Sequence, residues 1–266
     1  MTLPGPILPR EVFDEIISQS DEASTLKSCS LVCRSFRRSA QKILFHSINV
    51  DLLNIGYHGA PSDPINLVSI VIHAVHLIQY VQKLRISVHR PLNVDGDITD
   101  LANALDIFSL ERESFPINLR SLWLESLAWH WISPRFQNAL VLLTTVHSLR
   151  DITLYHATDC SPDLIQNLPP PFKQLSLKDT TFLSLPTNRN GRPKLDSLTI
   201  RIRTGTFCGG LYGSLSDAAA LERIVNMSQL KTFQGGICNP STMPVIERIL
   251  QSTSNSLEHL TFEQFS

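Results

Sequence analysis

The sequence has little cysteine, little charge and no long apolar run. Five cysteines in 266 residues are too few for a disulfide scaffold, and an odd number cannot all pair internally. They read as reduced thiols of the cytosol or nucleus. Charged residues make up 18% of the chain, and 23 basic against 24 acidic side chains leave a net charge of −1. That balance argues against a nucleic-acid-binding or anionic-membrane protein, since both usually draw on a basic excess. The most apolar stretch, Leu67 to Val81, is shorter than the roughly 20 residues of a bilayer span and contains His73, His76 and Gln79. The opening Met-Thr-Leu-Pro-Gly-Pro lacks the basic and apolar regions of a signal peptide. What is present is an ordinary globular composition, 42% hydrophobic, in a chain long enough to bury a core as one or two domains. The expectation is a soluble, cytoplasmic or nuclear protein without membrane or nucleic-acid partners.

Residues 7–50 differ from the rest. Pro9 suits a first helical turn, and Val12, Phe13, Ile16 and Ile17 recur as the apolar stripe of a short helix. Asp21 is a candidate cap for a second helix carrying Leu26, Cys29, Leu31, Val32, Cys33 and Phe36. Arg34, Arg37 and Arg38 give a wet face, and Ile43, Leu44 and Phe45 close the unit. So small a unit cannot cover that many large apolar groups by itself. The surplus faces either the following domain, as a cap, or another protein.

The segment from Ile7 to Ile48 resembles an F-box. Leu8-Pro9-Arg10-Glu11 matches its opening Leu-Pro-x-Glu, Ile16 and Ile17 its Ile-rich first helix, and Leu31-Val32-Cys33-Arg34-Ser35-Phe36 its closing Leu-Val-Cys-Arg-x-aromatic. The aromatic is more often Trp, and Phe36 keeps the bulk without the indole donor. The style of the chain is similar to the large F-box families of mushroom-forming fungi. The resemblance implies docking to the Skp-type adaptor of Skp–cullin–F-box ubiquitin ligases, and through it to a cullin. The positions that match the motif, and so the implied adaptor-binding residues, are Leu8, Pro9, Glu11, Ile16, Leu26, Leu31, Val32, Cys33 and Phe36. Some of these must instead hold the helices together, and sequence does not separate the two roles.

Residues 51–266 carry a degenerate repeat of the form apolar-x-x-apolar-x-apolar. It occurs at Val81/Leu84/Ile86, Leu119/Leu122/Leu124, Leu149/Ile152/Leu154, Phe172/Leu175/Leu177, Leu195/Leu198/Ile200, weakly at Leu230/Phe233, and at Leu257/Leu260/Phe262. Successive middle positions lie 38, 30, 23, 23, 35 and 27 residues apart. Between them fall helix-like stretches: 66–80, 98–110 with Asp97 as cap, 134–146 after Ser133, a short one from Ser161-Pro162 to Leu168, 215–227 and 243–251. Strand then helix, repeated, means parallel strands with helical returns. The expected fold is α/β: a tail over 1–6, a small all-helical F-box over 7–50, and an irregular leucine-rich-repeat-like solenoid with a curved parallel sheet over 51–266. A non-repeat α/β domain is the alternative. There is no Asn ladder; Ser126, Ala157, Asp179 and Arg203 stand after the strands. Ser266 follows a strand-like segment directly, so either the last strand is an exposed edge or the solenoid continues elsewhere.

Period-two alternation sends one set of strand side chains outward. The outward row holds Arg85, Ser87, Trp123, Glu125, Thr153, Tyr155, Ser176, Lys178, Thr199, Arg201, Thr261 and Glu263. Its Trp, Tyr and Arg are the usual anchors of a protein-binding patch. Arg85, Trp123, Glu125, Tyr155, Lys178, Arg201 and Glu263 are therefore the candidate target-binding residues, unless the row is a solvated sheet face with scattered aromatics. Trp129 and Trp131, flanking His130, form either a second contact patch or loop aromatics folded back on the core.

Chemistry-bearing motifs are scarce. Cys29 and Cys33, four apart, could share a helical face, but only His46 is near as a further zinc ligand. His73 and His76 read as structural. Gly205, Gly209, Gly210 and Gly213 lack the Gly-Lys-Ser/Thr ending of a phosphate loop. No Gly-x-Ser-x-Gly occurs, and Cys160, Cys208 and Cys238 have no nucleophile signature. Pro169-Pro170-Pro171 reads as a rigid turn. The expectation is a non-enzyme without cofactor or metal: a substrate receptor that holds an unknown protein target for ubiquitination, or a repeat-type interaction scaffold not assembled into a ligase.

Overall fold

The computed structural model describes residues 9–20, 22–52, 67–88, 95–110, 116–182, 194–201, 225–237 and 243–264. Three helices come first: α1 (Arg10–Ser18), α2 (Ala23–Val32) and α3 (Arg34–Leu44). Pro9 stands just outside α1 with extended ψ, and its carbonyl accepts the Val12 N–H at 3.1 Å. Glu22 immediately precedes α2, and its carboxylate accepts the Thr25 hydroxyl at 2.8 Å; Asp21 lies outside the described residues. Cys33 is extended and breaks α2 from α3. The trio has its own small core of Ile17, Leu26 and Ala40, joined by Cys29, Phe36, Ile43 and Leu44. Phe36 meets Phe13 edge-to-face at 5.1 Å.

The rest is α/β. Eight strands form one open, all-parallel sheet in the order of the sequence: β1 (Ser47–Asp51), β2 (Lys83–Ser87), β3 (Ser121–Glu125), β4 (Asp151–Tyr155), β5 (Gln174–Lys178), β6 (Ser197–Arg201), β7 (Thr232–Ile237) and β8 (His259–Gln264). Six of the eight carry the repeat read from the sequence, and β7 carries its weak instance. β1 is additional. It begins at Ser47, inside the segment assigned to the helical unit, so the sheet starts earlier than residue 51.

The strands are set in phase by one backbone device. The residue before each strand offers its carbonyl to two successive N–H groups of the next rung. His46 accepts from Gln82 and Lys83, Gln82 from Arg120 and Ser121, and Arg120 from Arg150 and Asp151, all at 2.8–3.0 Å. The same pattern continues through Arg150, Lys173, Asp196 and Lys231. Two hydroxyls repeat a second device: Ser148 donates to the Leu119 carbonyl at 2.8 Å and Ser256 to the Leu230 carbonyl at 2.9 Å.

Helical returns cover one face. They are α4 (Leu67–His73) with a 3-10 turn over Val75–Tyr80, α5 (Asp95–Ser109), α6 (Pro134–Thr144), α7 (Asp163–Gln166) and α8 (Met243–Thr253). Ser133 caps α6 as expected, accepting the Phe136 N–H at 3.3 Å with Pro134 in the first turn. Two expectations are corrected. Residues 66–80 are not one helix, because Ala74 leaves the helical region at φ −147° and the chain tightens into the 3-10 turn. Asp97 is not a cap, since α5 starts at Asp95 and Asp97 lies within it. Most of the helix expected over 215–227 lies outside the described residues; of that range, 225–227 are non-helical.

Leu84/Ile86, Leu122/Leu124, Ile152/Leu154, Leu175/Leu177 and Leu198/Ile200 point beneath the helices into one continuous core with Leu105, Phe108, Phe136 and Leu140. Each fully buried side chain of this size contributes about 1.5–3 kcal/mol. At Gly235 the alternation pauses: a Cβ there would stand 3.1 Å from the Phe262 ring and 3.2 Å from Phe233. The two aromatics fill the space that Ile200 fills one rung earlier.

Candidate functional site

Two surfaces gather the residues singled out above. The first is the outer surface of the helical trio. Leu31 is 79% exposed, Val32 69% and Ile16 50%. Pro9, Glu11 and Cys33 are exposed as well, whereas Phe36 is half-buried against Phe13. Leu26 is 3% exposed and belongs to the core of the trio; it holds the helices and is not available to a partner. Leu8 lies outside the described residues. Water-facing Leu and Val at the end of a short helix gain nothing from the fold that displays them.

The second surface is the sheet face that no described helix covers. Register fixes it: Arg85, Trp123, Thr153, Ser176 and Thr199 stand side by side on successive strands, and Ser87, Glu125, Tyr155, Lys178 and Arg201 form the next row. Parallel sheets usually have both faces covered, with near-continuous apolar strands. Here the open face is polar and half-exposed.

At its N-terminal half the row is a built cluster. Arg85 stands over Trp123 at 4.9 Å from the ring centroid. The same guanidinium donates to Glu125 from Nε at 2.9 Å and pairs with it through a second nitrogen. Ser87 donates to that carboxylate at 3.4 Å. Trp123 meets Tyr155 edge-to-face at 6.4 Å, and Tyr155 lies 4.1 Å from the His156 ring. The Trp123 indole nitrogen is buried without a hydrogen-bond acceptor among the described residues. Lys178 and Arg201 continue the row, one strand apart. Glu263 is placed in β8, paired with Gly236.

Sequence reading missed His156, which sits 3.6 Å from Asp179 on the adjacent rung. Ser126, His156 and Asp179 each follow a strand directly, and all three adopt positive φ, 51–54°. Each N–H reaches the last carbonyl of the next strand at 2.7–2.9 Å. His156, rather than Ala157, is thus the equivalent position. The three residue types share tolerance of polar surroundings rather than chemistry, so no ladder shows in the sequence.

The other candidates separate. Cys33 lies in the break after α2 and does not share a helical face with Cys29. His73 ends α4 and His76 lies in the 3-10 turn beyond Ala74, so the two do not share one helix. No group of three or more metal-type ligands occurs among the described residues. Cys160 is buried, and desolvation pushes its thiol far above the ordinary range. Trp129 is folded into the core, 5% exposed, while Trp131 is 41% exposed with His130 against it at 5.4 Å. The Phe172 N–H donates to the Pro169 carbonyl at 3.0 Å in a turn through the three prolines. Gly205, Gly209, Gly210, Gly213, Arg203, Cys208 and Cys238 lie outside the described residues. No helix among the described residues is long and apolar enough to cross a membrane.

No protein-family model matches the chain, and no curated protein matches it.

Proposed function

We propose that the protein is a non-catalytic substrate receptor of a Skp–cullin–F-box ubiquitin ligase. The trio α1–α3 docks to a Skp-type adaptor, and the uncovered face of a leucine-rich-repeat-like solenoid holds a protein target. Catalysis then comes from proximity, as the target lysine is kept at high effective concentration near a charged conjugating enzyme. The observation that carries the reading is the exposure of Leu31 and Val32, inside the Leu-Val-Cys-Arg segment that resembles the F-box close. Were the trio only a cap on the sheet, those side chains would be the ones to bury.

The solenoid half of the reading rests on strand order. A doubly wound sheet reverses order at a switch point and is covered on both faces. Here the order is that of the sequence, and no described helix covers the second face. An open row with Arg, Trp and Tyr is the composition of a protein-binding patch.

The test is co-purification of the full chain with a Skp-type adaptor, against a Leu31→Ala/Val32→Ala variant checked for folding by circular dichroism. Binding by the parent and its loss in a folded variant is the expected result. A folded parent that does not bind leaves a repeat-type interaction scaffold outside any ligase.

A further inference from the structure

The sheet has a third surface, at the edge where its strands begin, and its charge does not follow from the composition of the chain. The residue before each strand is pinned by the shared carbonyls described above, so consecutive side chains there sit one strand apart, about 4.8 Å. Toward the C-terminus this row is self-neutralised: Lys173 pairs with Asp196 at 3.2 Å and Lys231 with Glu258 at 3.7 Å. Toward the N-terminus it is not. Arg120 and Arg150 stand on adjacent rungs, both exposed, with Lys83 at the start of the preceding strand. Neither Lys83 nor Arg150 makes an ion pair or a side-chain hydrogen bond among the described residues. Among the described residues, the Arg120 Nε donates only to the neutral Asn118, at 3.3 Å.

The surface continues onto the helical trio. Asn118 also lines a cleft of about 200 Å³ together with Asp14, Arg38, Lys42, Gln79, Tyr80 and Gln82. Glu11, Asp14 and Glu15 line a neighbouring cavity with Lys42 and His46, and Asp151 lies at the strand edge. Asp14 already accepts the Ser39 hydroxyl, and Asp151 is partly desolvated, which raises its pKa against the pull of Arg150 and Lys83. At the strand edge three cations, Lys83, Arg120 and Arg150, face one carboxylate, Asp151, on a protein whose net charge is −1, whereas Lys42 is balanced by Glu11, Asp14 and Glu15. The field is felt locally: His46, at the base of the patch, is held below its ordinary pKa first by desolvation, then by Lys83 and Arg120.

We infer that this strand edge, carrying Lys83, Arg120 and Arg150, is a docking surface for an acidic segment of a partner protein. It is distinct from the uncovered sheet face and does not rest on the ligase reading. The charge pattern selects the class of partner. A long polyanion such as nucleic acid senses the whole molecule, which is slightly acidic. A short acidic stretch senses only what lies within a screening length of about 8 Å, and there the sign is positive. Complementary charge of this kind sets register and on-rate.

The experiment is fluorescence anisotropy of the full chain with a labelled Glu-rich octapeptide, against its Gln counterpart and a single-stranded oligonucleotide of the same charge. The expected result is salt-sensitive binding of the Glu peptide alone, at least ten-fold weaker in a Lys83→Glu/Arg150→Glu variant. Lys231→Glu, a reversal outside the patch, leaves the affinity unchanged. Should the double reversal not fold, Lys83→Gln/Arg150→Gln replaces it, with a smaller loss expected. Equal binding of the Glu and Gln peptides, tighter binding of the oligonucleotide, or indifference to both double variants overturns the proposal.

Discussion

Arg85 and Glu125 are bound to each other across two neighbouring strands while Arg85 also covers the face of Trp123. Pair and stack share one guanidinium, so removing Arg85 removes both. Arg85 is 45% exposed and Glu125 13%, which places the pair between a solvated and a buried one.

Arg85→Ala is accordingly expected to cost about 0.5–1 kcal/mol, the range of a half-exposed pair with a cation–π contact. Glu125→Ala costs a similar amount, and the double variant less than their sum. Urea denaturation of the three variants measures the coupling. Full additivity would show that the two side chains do not act together.

Leu26 and Leu31 belong to the same helix and to opposite roles. Leu26→Ala opens the small core of the trio and is expected to destabilise that unit by about 2–5 kcal/mol. Leu31→Ala removes a side chain already in water, with a stability change within about 0.5 kcal/mol. Hydrogen exchange of α2 amides in both variants reads the difference. If the two behave alike, the assignment of Leu31 to a partner-facing role fails.

His46 gives the protein a pH dependence with a defined sign. Its folded pKa is lowered from the ordinary histidine value, about 6.5, by desolvation first and then by Lys83 and Arg120. The unfolded chain therefore binds the proton more readily. The contribution to stability is present above about pH 6.5 and is lost as pH falls through the lower, folded value. Asp151 acts in the other sense: its raised folded pKa stabilises at acid pH and that contribution disappears as pH rises through the folded value. Denaturation midpoints of His46→Gln between pH 5 and 7 should lose part of the slope shown by the parent. An unchanged slope would rule out His46 as its source.

Ser126 tests the turn after β3. Its φ of 54° is a conformation that suits glycine and resists β-branched residues. Ser126→Gly is expected to be neutral or to stabilise slightly, and Ser126→Val to destabilise by about 1–2 kcal/mol. Thermal melts of both settle the order; a Val variant as stable as the Gly variant would contradict it.

Much of the sheet was legible because period-two alternation under helices leaves a repeated apolar triplet. Leu84/Ile86 through Leu198/Ile200 are all buried where that reading put them. β1 was legible too and was overlooked: Phe45, Ile48 and Val50 have the same spacing, but the helical segment before them absorbed the pattern. Other features left no trace in the sequence. The break at Ala74 falls inside the most apolar stretch of the chain, with no Gly or Pro to mark it. The positive-φ residues are Ser, His and Asp, alike in position and unlike in chemistry. Nor could the apolar stripe of α2 tell Leu26, which is inside, from Leu31, which is in water. The open cluster was half readable: alternation named Arg85, Trp123, Glu125 and Tyr155, but only the register shows that they touch.

Because each strand pairs with the ones beside it in the sequence and with no others, every rung is written in one contiguous stretch of the chain. Deleting or duplicating such a stretch would re-seat its neighbours on each other without re-threading the sheet. The reading face could thus lengthen or shorten by whole rungs over evolutionary time, while the helical trio at the other end kept its surface intact.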